Sequence, residues 1–188
     1  YLGSWIRDSD KDIKNRKSKA WVACHGLKKV WNSDLKDELK CRLFVATVET
    51  VLLYGCETWS LTKQMEKSLN GTYTRMLRMA LNKNQWQLRM TNGTLYGIGG
   101  LPILSTKIAE RRLRLAGHAQ RHPELTLHKV LLWEPLHGQA KRGRPTKTFV
   151  DVLRQDTGLG DVKEIASVME ERDAWRKLVQ GVREFHPP

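Results

Sequence analysis

Residues 35–55 read LKDELKCRLFVATVETVLLYG, and this stretch decides the fold. Its apolar residues recur at helical spacing and become nearly continuous from Leu43 to Tyr54. A helix that is apolar almost all round is typical of a buried position. Asn32-Ser33-Asp34 supplies a stop signal and an N-cap before this helix, and Gly55 ends it. We expect it to be the most buried element.

The helical period continues on both sides of this stretch, which predicts a mainly α fold. One helix face precedes it and another follows it: Ala20, Cys24, Leu27 and Trp31, then Leu61, Met65, Leu69, Tyr73, Met76, Leu77 and Ala80. Asn70-Gly71 lies inside the second face and predicts a kink or a break there. Further helices are predicted from Ser105 to about Arg121, over Leu125–Leu132, from Pro145 to about Gln155, and in a final segment with Val168, Trp175, Leu178, Val179 and Val182. A short β strand is expected at Tyr1–Ile6 alone.

Residues 82–104 differ in composition from the helical segments. Asn92-Gly93, Gly97, Gly99-Gly100 and Pro102 are turn-forming residues, which favours a loop-rich linker. The predicted organisation is therefore a segment 1–10, a helical bundle over 11–81, the linker 82–104, and a helical region over 105–188.

The net charge of +13 points to a polyanionic partner. Residues 61–122 hold 11 Lys and Arg against 2 Asp and Glu, whereas residues 1–60 and 123–188 are nearly balanced. Cations that neutralise phosphates release condensed counterions, which favours nucleic-acid binding. The surplus therefore predicts a phosphate-facing surface in the middle third of the chain.

Two stripes of basic residues are candidates for that surface. The stronger one has helical spacing and contains Lys107, Arg111, Arg114, His118 and Arg121, with Arg112 beside it. A weaker one contains Lys67, Arg75 and Arg78. Solvated helix faces usually interleave Glu with Lys, whereas the stronger stripe has Glu110 alone. A solvated face remains the alternative, but the shortage of acids favours phosphate contact.

A third basic candidate is Lys141-Arg142-Gly143-Arg144-Pro145, followed by Lys147. Its R-G-R-P core is similar to an AT-hook, whose arginines enter the narrow minor groove of A·T-rich DNA. A basic turn that leads into a helix starting at Pro145 explains the same residues. Contact with phosphate is compatible with both interpretations.

The sequence predicts no catalytic or metal site. Polymerases that use two metal ions need paired aspartates, and the chain has no Asp-Asp pair. Asp151, Asp156 and Asp161 imitate a nuclease pattern but are expected to be surface acids of helices. His118 and His122 lie four residues apart without the Glu of a zinc-protease motif.

The cysteines and the apolar runs restrict the compartment. The cysteines are Cys24, Cys41 and Cys56, an odd number without a C-x-x-C spacing, which favours a reducing intracellular compartment, nuclear or cytoplasmic. No apolar run approaches the roughly 18 residues of a membrane span. We therefore expect no membrane partner and no small-molecule substrate.

Several phrases, taken in order, resemble non-LTR (LINE-type) retrotransposon reverse transcriptases. Tyr1-Leu2-Gly3-Ser4 is similar to the strand equivalent to the primer grip, and Leu53–Trp59 (LYGCETW) is close to the L-Y-G-x-E-x-W phrase of the thumb region. Residues 111–118 (RRLRLAGH) resemble the R-R-L-R-x-x-G-H phrase, and the family's usual continuation is matched by residues 142–145, Asp151, Asp156 and residues 172–176 (RDAWR).

The resemblance implies an end of the palm, a helical thumb and a C-terminal helical region that together hold an RNA template and DNA. The family's polymerase aspartates lie upstream of the Y-L-G strand, so no catalytic residue carries over. We expect a fragment that contains no cofactor, whereas the parent polymerase would use Mg²⁺. Tyr1, Leu2 and Gly3 would lie near the primer end. The alternative is a stand-alone or domesticated DNA-binding adaptor that uses the R-G-R-P segment.

Overall fold

The computed structural model describes residues 8–83, 89–133 and 147–185, without the side chains of 183–185. Regular structure in these ranges is entirely helical, which confirms the mainly α prediction. The chain divides into two compact units between Ile108 and Ala109. The expected strand at Tyr1–Ile6 lies outside the described residues.

The first unit contains most of the helices. Their bounds are α1 Ser9–Gly26, α2 Lys28–Trp31, α3 Asp37–Phe44, a π-helical turn Val45–Glu49, α4 Thr50–Leu52, a 3₁₀ turn Cys56–Thr58, α5 Lys63–Ala80 and α6 Asn92–Ile98. Helix α7, Leu104–Gln120, begins in this unit and continues into the second.

The stretch that decides the fold lies at the centre of the first unit. It forms α3, the π-helical turn and α4, and the side chains of Phe44, Val48 and Leu52 are fully buried. The π-helical turn interrupts the regular α ladder, and it contains Glu49, whose side chain is also buried. Tyr54 is 42% exposed, and Ala46 and Thr50 are exposed as well, so the prediction of a helix buried nearly all round is wrong.

A buried hydrogen bond ties α1 to the segment after α4. Trp59 Nε1 donates to Asp12 Oδ2 at 2.8 Å, and both side chains are buried. Arg16 Nε lies 3.6 Å from Asp12 Oδ1, and the guanidinium also lies 4.2 Å from the centre of the Tyr54 ring. Gly55, with φ of 74°, makes the left-handed turn between Tyr54 and Trp59 that favours glycine. These partners offset the cost of burying the carboxylate.

The described residues of the predicted linker, 82–83 and 89–104, do not form a loop-rich joint. They contain α6, whose Leu95 and Tyr96 are buried in the core of the first unit. The Tyr96 hydroxyl lies 2.6 Å from Thr74 Oγ1, which attaches α6 to α5. The division between units therefore falls inside α7. Turn-forming residues here end a short helix instead of separating two domains.

Asn70-Gly71 neither kinks nor splits α5, which runs unbroken from Lys63 to Ala80. The Asn70 side chain serves the start of α7 instead. Its Oδ1 accepts from the Ser105 backbone N–H at 3.0 Å, and its Nδ2 donates to Ser105 Oγ at 3.1 Å. The first turn of α7 is therefore capped by another helix, whereas the sequence predicted that Ser105 itself would be the cap.

The second unit packs short helices against the rest of α7. Their bounds are α8 Thr126–Leu131, α9 Phe149–Thr157, α10 Val162–Glu170 and α11 Arg172–Phe185. The predicted final helix is therefore two helices. Helix α9 begins at Phe149 with a capping box between Thr148 and Asp151, whereas the predicted start at Pro145 lies outside the described residues.

A tryptophan holds α11 against α7 in the second unit. Trp175 is buried, and its Nε1 donates to the Leu113 carbonyl at 2.9 Å. Its indole lies where a Cβ on Gly117 would be, so α7 and α11 approach closely only because residue 117 is glycine. Within the described ranges, no helix is long and apolar enough to cross a membrane.

We expect Gly117→Ala to destabilise the chain by about 1–3 kcal/mol, because the added methyl collides with the Trp175 indole and forces the helices apart. Urea unfolding followed by circular dichroism measures the change. The matched control is Gly181→Ala on α11, where a Cβ meets no atom within 4 Å. This control should raise stability by about 0.5–1 kcal/mol through helix propensity. A Gly117→Ala chain as stable as the control would contradict the close packing.

Candidate nucleic-acid interface

Lys107, predicted to face nucleic acid, instead forms an internal ion pair. Its Nζ lies 2.5 Å from Glu49 Oε2, and its side chain is 14% exposed. The Tyr73 hydroxyl donates to the same carboxylate oxygen at 2.6 Å. Helical spacing placed Lys107 in the stripe, but the first turn of α7 packs on the first unit. The amine therefore neutralises a buried acid and does not face solvent.

The Tyr73 phenol is held in its protonated form by this arrangement. Burial, and then the nearby negative charge of Glu49, raise the pKa of Tyr73 far above its usual value. A deprotonated phenol would place a second negative charge beside Glu49 in the interior. Tyr73 therefore remains a hydrogen-bond donor throughout the pH range in which proteins are normally handled.

Arg112 is the second member of the stripe that is internal. Its Nη1 pairs with Asp156 Oδ2, and both side chains are largely buried. A buried guanidinium requires a charge partner, and α9 supplies it within the second unit. The prediction that Arg112 contacts nucleic acid is therefore corrected. Arg112, like Lys107, neutralises an acid inside the protein.

The rest of the stripe does not form a single exposed face. Arg114 is 67% exposed, and His118 is exposed as well. Arg111 and Arg121 are half-buried, and Arg121 Nη1 donates to the Met169 carbonyl at 2.7 Å. Arg114 and His118 are thus the members of this stripe whose side chains are exposed to solvent.

The three residues of the weaker stripe line a groove in the first unit. Lys67, Arg75 and Arg78 line a cavity of about 700 Å³ formed by α5, α6 and the start of α7. Its described lining is Lys63, Glu66, Lys67, Asn70, Gly71, Thr74, Arg75, Arg78, Asn92, Tyr96 and Ile103. Sequence reasoning did not select Lys63, although it precedes Lys67 by four residues and therefore shares its face. Four basic side chains and one acid, Glu66, make this groove electropositive.

Lys17 of α1 is a further cation near Arg75, one of the residues that line the groove. Burial, followed by the positive charge of Arg75, lowers the pKa of Lys17. Its Nζ donates to Ser68 Oγ at 2.6 Å, so its hydrogen-bond partner is neutral. The second cause of the lowered pKa shows that Lys17 lies close enough to Arg75 for the two positive charges to repel each other.

Arg78 fixes one wall of the groove. Its Nη2 donates to the Met90 carbonyl at 2.9 Å and to Asn92 Oδ1 at 2.9 Å. These bonds hold the first turn of α6 against α5. Arg78 therefore positions the wall, whereas Lys67 and Arg75 have exposed side chains that can reach a ligand.

Other predicted contacts lie outside the described residues. They are Tyr1, Leu2, Gly3, Lys141, Arg142 and Arg144. Lys147 is described and exposed, and its Nζ donates to Gln155 Oε1 at 2.5 Å. This contact with a neutral amide leaves the charge of Lys147 available at the surface.

The acids that imitate a nuclease pattern have structural partners. Asp151 belongs to the capping box of α9, where hydrogen bonds from Thr148 lower its pKa. Asp156 pairs with Arg112, and Asp161 accepts from the Lys163 backbone N–H at the start of α10. In the described part of the chain, no three metal-binding side chains converge. These acids therefore stabilise helices.

Comparison of the chain with family models, curated proteins and solved structures gave no match. Any role must therefore follow from the residues themselves.

We expect Lys107→Met to destabilise the chain by about 3–5 kcal/mol, because it leaves Glu49 charged and buried beside Tyr73. Denaturant unfolding measures the loss. Adding Glu49→Gln should restore most of the stability, since the double variant removes both charges.

The control for this prediction is Lys29→Met on α2 of the same unit. It makes the same substitution at an exposed lysine and should change stability by less than about 0.5 kcal/mol. Equal stability of Lys107→Met and Lys29→Met would contradict the internal role of Lys107.

Proposed function

We propose that this chain is the nucleic-acid-holding C-terminal part of an RNA-directed DNA polymerase of the LINE-type retrotransposon class. Its first unit grips a primer–template hybrid in the groove along α5 and α6. The chain contributes binding and not nucleotide addition, because it has no pair of adjacent aspartates of the kind that polymerases with two metal ions need. It acts inside the cell, in the nucleus or the cytoplasm, on RNA template and DNA.

The observation that carries this proposal is the concentration of cations in the groove. Lys63, Lys67 and Arg75 lie on one face of a single helix, with Gly71 at the turn between Lys67 and Arg75, and Arg78 completes the wall. Such a row follows a phosphate backbone better than it fits one small anion, because its charges extend along a helix of 18 residues. Lys17 of α1, whose charge is repelled by Arg75, is a further cation beside this row.

The resemblance to LINE-type enzymes favours one polyanion, an RNA–DNA hybrid, as the ligand of this groove. The phrase Leu53–Trp59 and the phrase at residues 111–118 follow the family's order, and the first belongs to its thumb region. Thumb helices in polymerases of this kind lie against the hybrid. The groove is on the helical unit that contains the thumb-like phrase, which favours a hybrid as the ligand.

The test is binding of a labelled RNA–DNA primer–template to the full chain at several salt concentrations. We expect Lys67→Gln with Arg75→Gln to weaken binding and to make the plot of log affinity against log salt shallower by roughly 1.4–1.8, since two phosphate contacts are removed. Lys28→Gln with Lys29→Gln is the matched control. These lysines of α2 are exposed, do not line the groove and change the net charge equally.

If the two double variants weaken binding equally, the groove is not the binding site. Preference for A·T-rich duplex over hybrid, with displacement by a minor-groove ligand, would replace the proposal with the DNA-binding adaptor. Nucleotide addition to the primer by the purified chain would overturn the view that it lacks polymerase activity.

A further inference from the structure

A second basic groove lies in the second unit, between α7 and α11. It has a volume of about 370 Å³, and its described lining is Arg114, Arg121, Arg172, Trp175, Arg176, Val179 and Gln180. Four of these seven residues are arginines, and the lining contains no acid. The basic residues selected from the sequence for nucleic-acid binding included Arg114 and Arg121, but not Arg172 and Arg176.

The guanidinium groups of this groove remain available to a ligand. Arg172 is exposed and has no side-chain partner within the described residues. Arg176 Nη1 lies 3.2 Å from Asp173 Oδ1, but both side chains are more than half exposed, so water weakens this pair. Arg114 Nη2 lies 3.6 Å from Glu110 Oε2, and Arg121 donates one of its N–H groups to Met169. Arg114 therefore pairs with a largely buried acid, whereas Arg121, Arg172 and Arg176 have no buried acid as a partner among the described residues.

The walls of the groove are fixed before any ligand binds. Trp175 lies between the two helices, donates to the Leu113 carbonyl and packs on Gly117. Arg172 and Arg176 lie on the same helix as Trp175, on either side of it. A rigid frame reduces the entropy lost when arginines are ordered on a ligand.

We propose that this groove binds successive phosphates of one polynucleotide strand. Arg172 and Arg176 are four residues apart on α11, which separates them by about 6 Å along the axis. Arg114 and Arg121 are seven residues apart on α7, which gives about 10 Å. Guanidinium forks bind phosphate oxygens with two hydrogen bonds, and four arginines spread along two helices suit several phosphates of a strand better than one isolated anion.

The same residues define how the strand is recognised. Trp175 is the aromatic side chain in the lining, and it is buried with its N–H occupied, so it offers no face for a base to stack on. The contacts are therefore to the backbone, and binding is independent of base sequence. This inference rests on the proposed function in that the ligand is nucleic acid, but its residues lie in the other unit.

The experiment measures binding of a short labelled single-stranded oligonucleotide to the full chain. We expect Arg172→Gln with Arg176→Gln to weaken binding about tenfold and to make the salt dependence shallower by roughly 1.4 in log–log slope. The matched control is Lys163→Gln with Lys177→Gln. Both are exposed lysines of the second unit outside the groove, and they remove the same charge. All four substitutions are at exposed positions, and unchanged unfolding midpoints verify that the variants fold.

Equal losses for the arginine and lysine pairs would overturn the groove as a site. Inorganic pyrophosphate or polyglutamate that displaces the strand as effectively as unlabelled oligonucleotide would overturn the strand as its ligand. The Lys67→Gln, Arg75→Gln variant, assayed on hybrid in parallel, separates the two proposals. If that variant loses hybrid while the Arg172, Arg176 variant keeps the strand, the proposed function stands and this inference fails. If the Arg172, Arg176 variant loses the strand while the Lys67, Arg75 variant keeps the hybrid, this inference stands and the groove of the first unit is not the hybrid site.

Discussion

Glu49 carries a carboxylate in the interior of the first unit, and three helical segments meet around it. Lys107 of α7 and the Tyr73 hydroxyl of α5 both reach one oxygen of this side chain, which belongs to the π-helical turn. Leaving such a charge buried without a partner costs several kcal/mol. The position of the first turn of α7 on α5 is therefore coupled to this contact, and Asn70 reinforces it by capping the same turn at Ser105. The groove beside α5 depends on that placement.

The same requirement divides the basic residues into two groups. Lys107 and Arg112 neutralise buried acids, so their charges contribute little to the field outside the protein. Lys67, Arg75 and Arg172 are exposed and pair with no buried acid in the part of the chain that the structure describes, so their charges remain at the surface. A net charge of +13 is therefore an incomplete guide to binding. The relevant quantity is the set of cations that remains after the interior acids have been paired.

Periodicity was sufficient to predict α1, α3 and α5 and the burial of Phe44, Val48 and Leu52, because apolar spacing reports a local property of the chain. It was insufficient for the basic stripe on α7. Spacing shows that Lys107 and Arg114 share a face, but not that the unit boundary lies between them, with one end packed and the other exposed. Long-range partners explain the other differences as well: α6 forms in a glycine-rich segment because its apolar side chains enter the core.

The phrases that resemble LINE-type enzymes contain residues of two kinds. Some are explained by packing alone: Trp59 donates to Asp12, and Trp175 of one phrase contacts Gly117 and Leu113 of another. These residues would be required by the fold whatever the chain binds. Arg172 and Arg176 belong to the same phrases but are exposed beside Trp175. The packing of the second unit does not require these two side chains. Contact with an external anion would explain their presence beside Trp175.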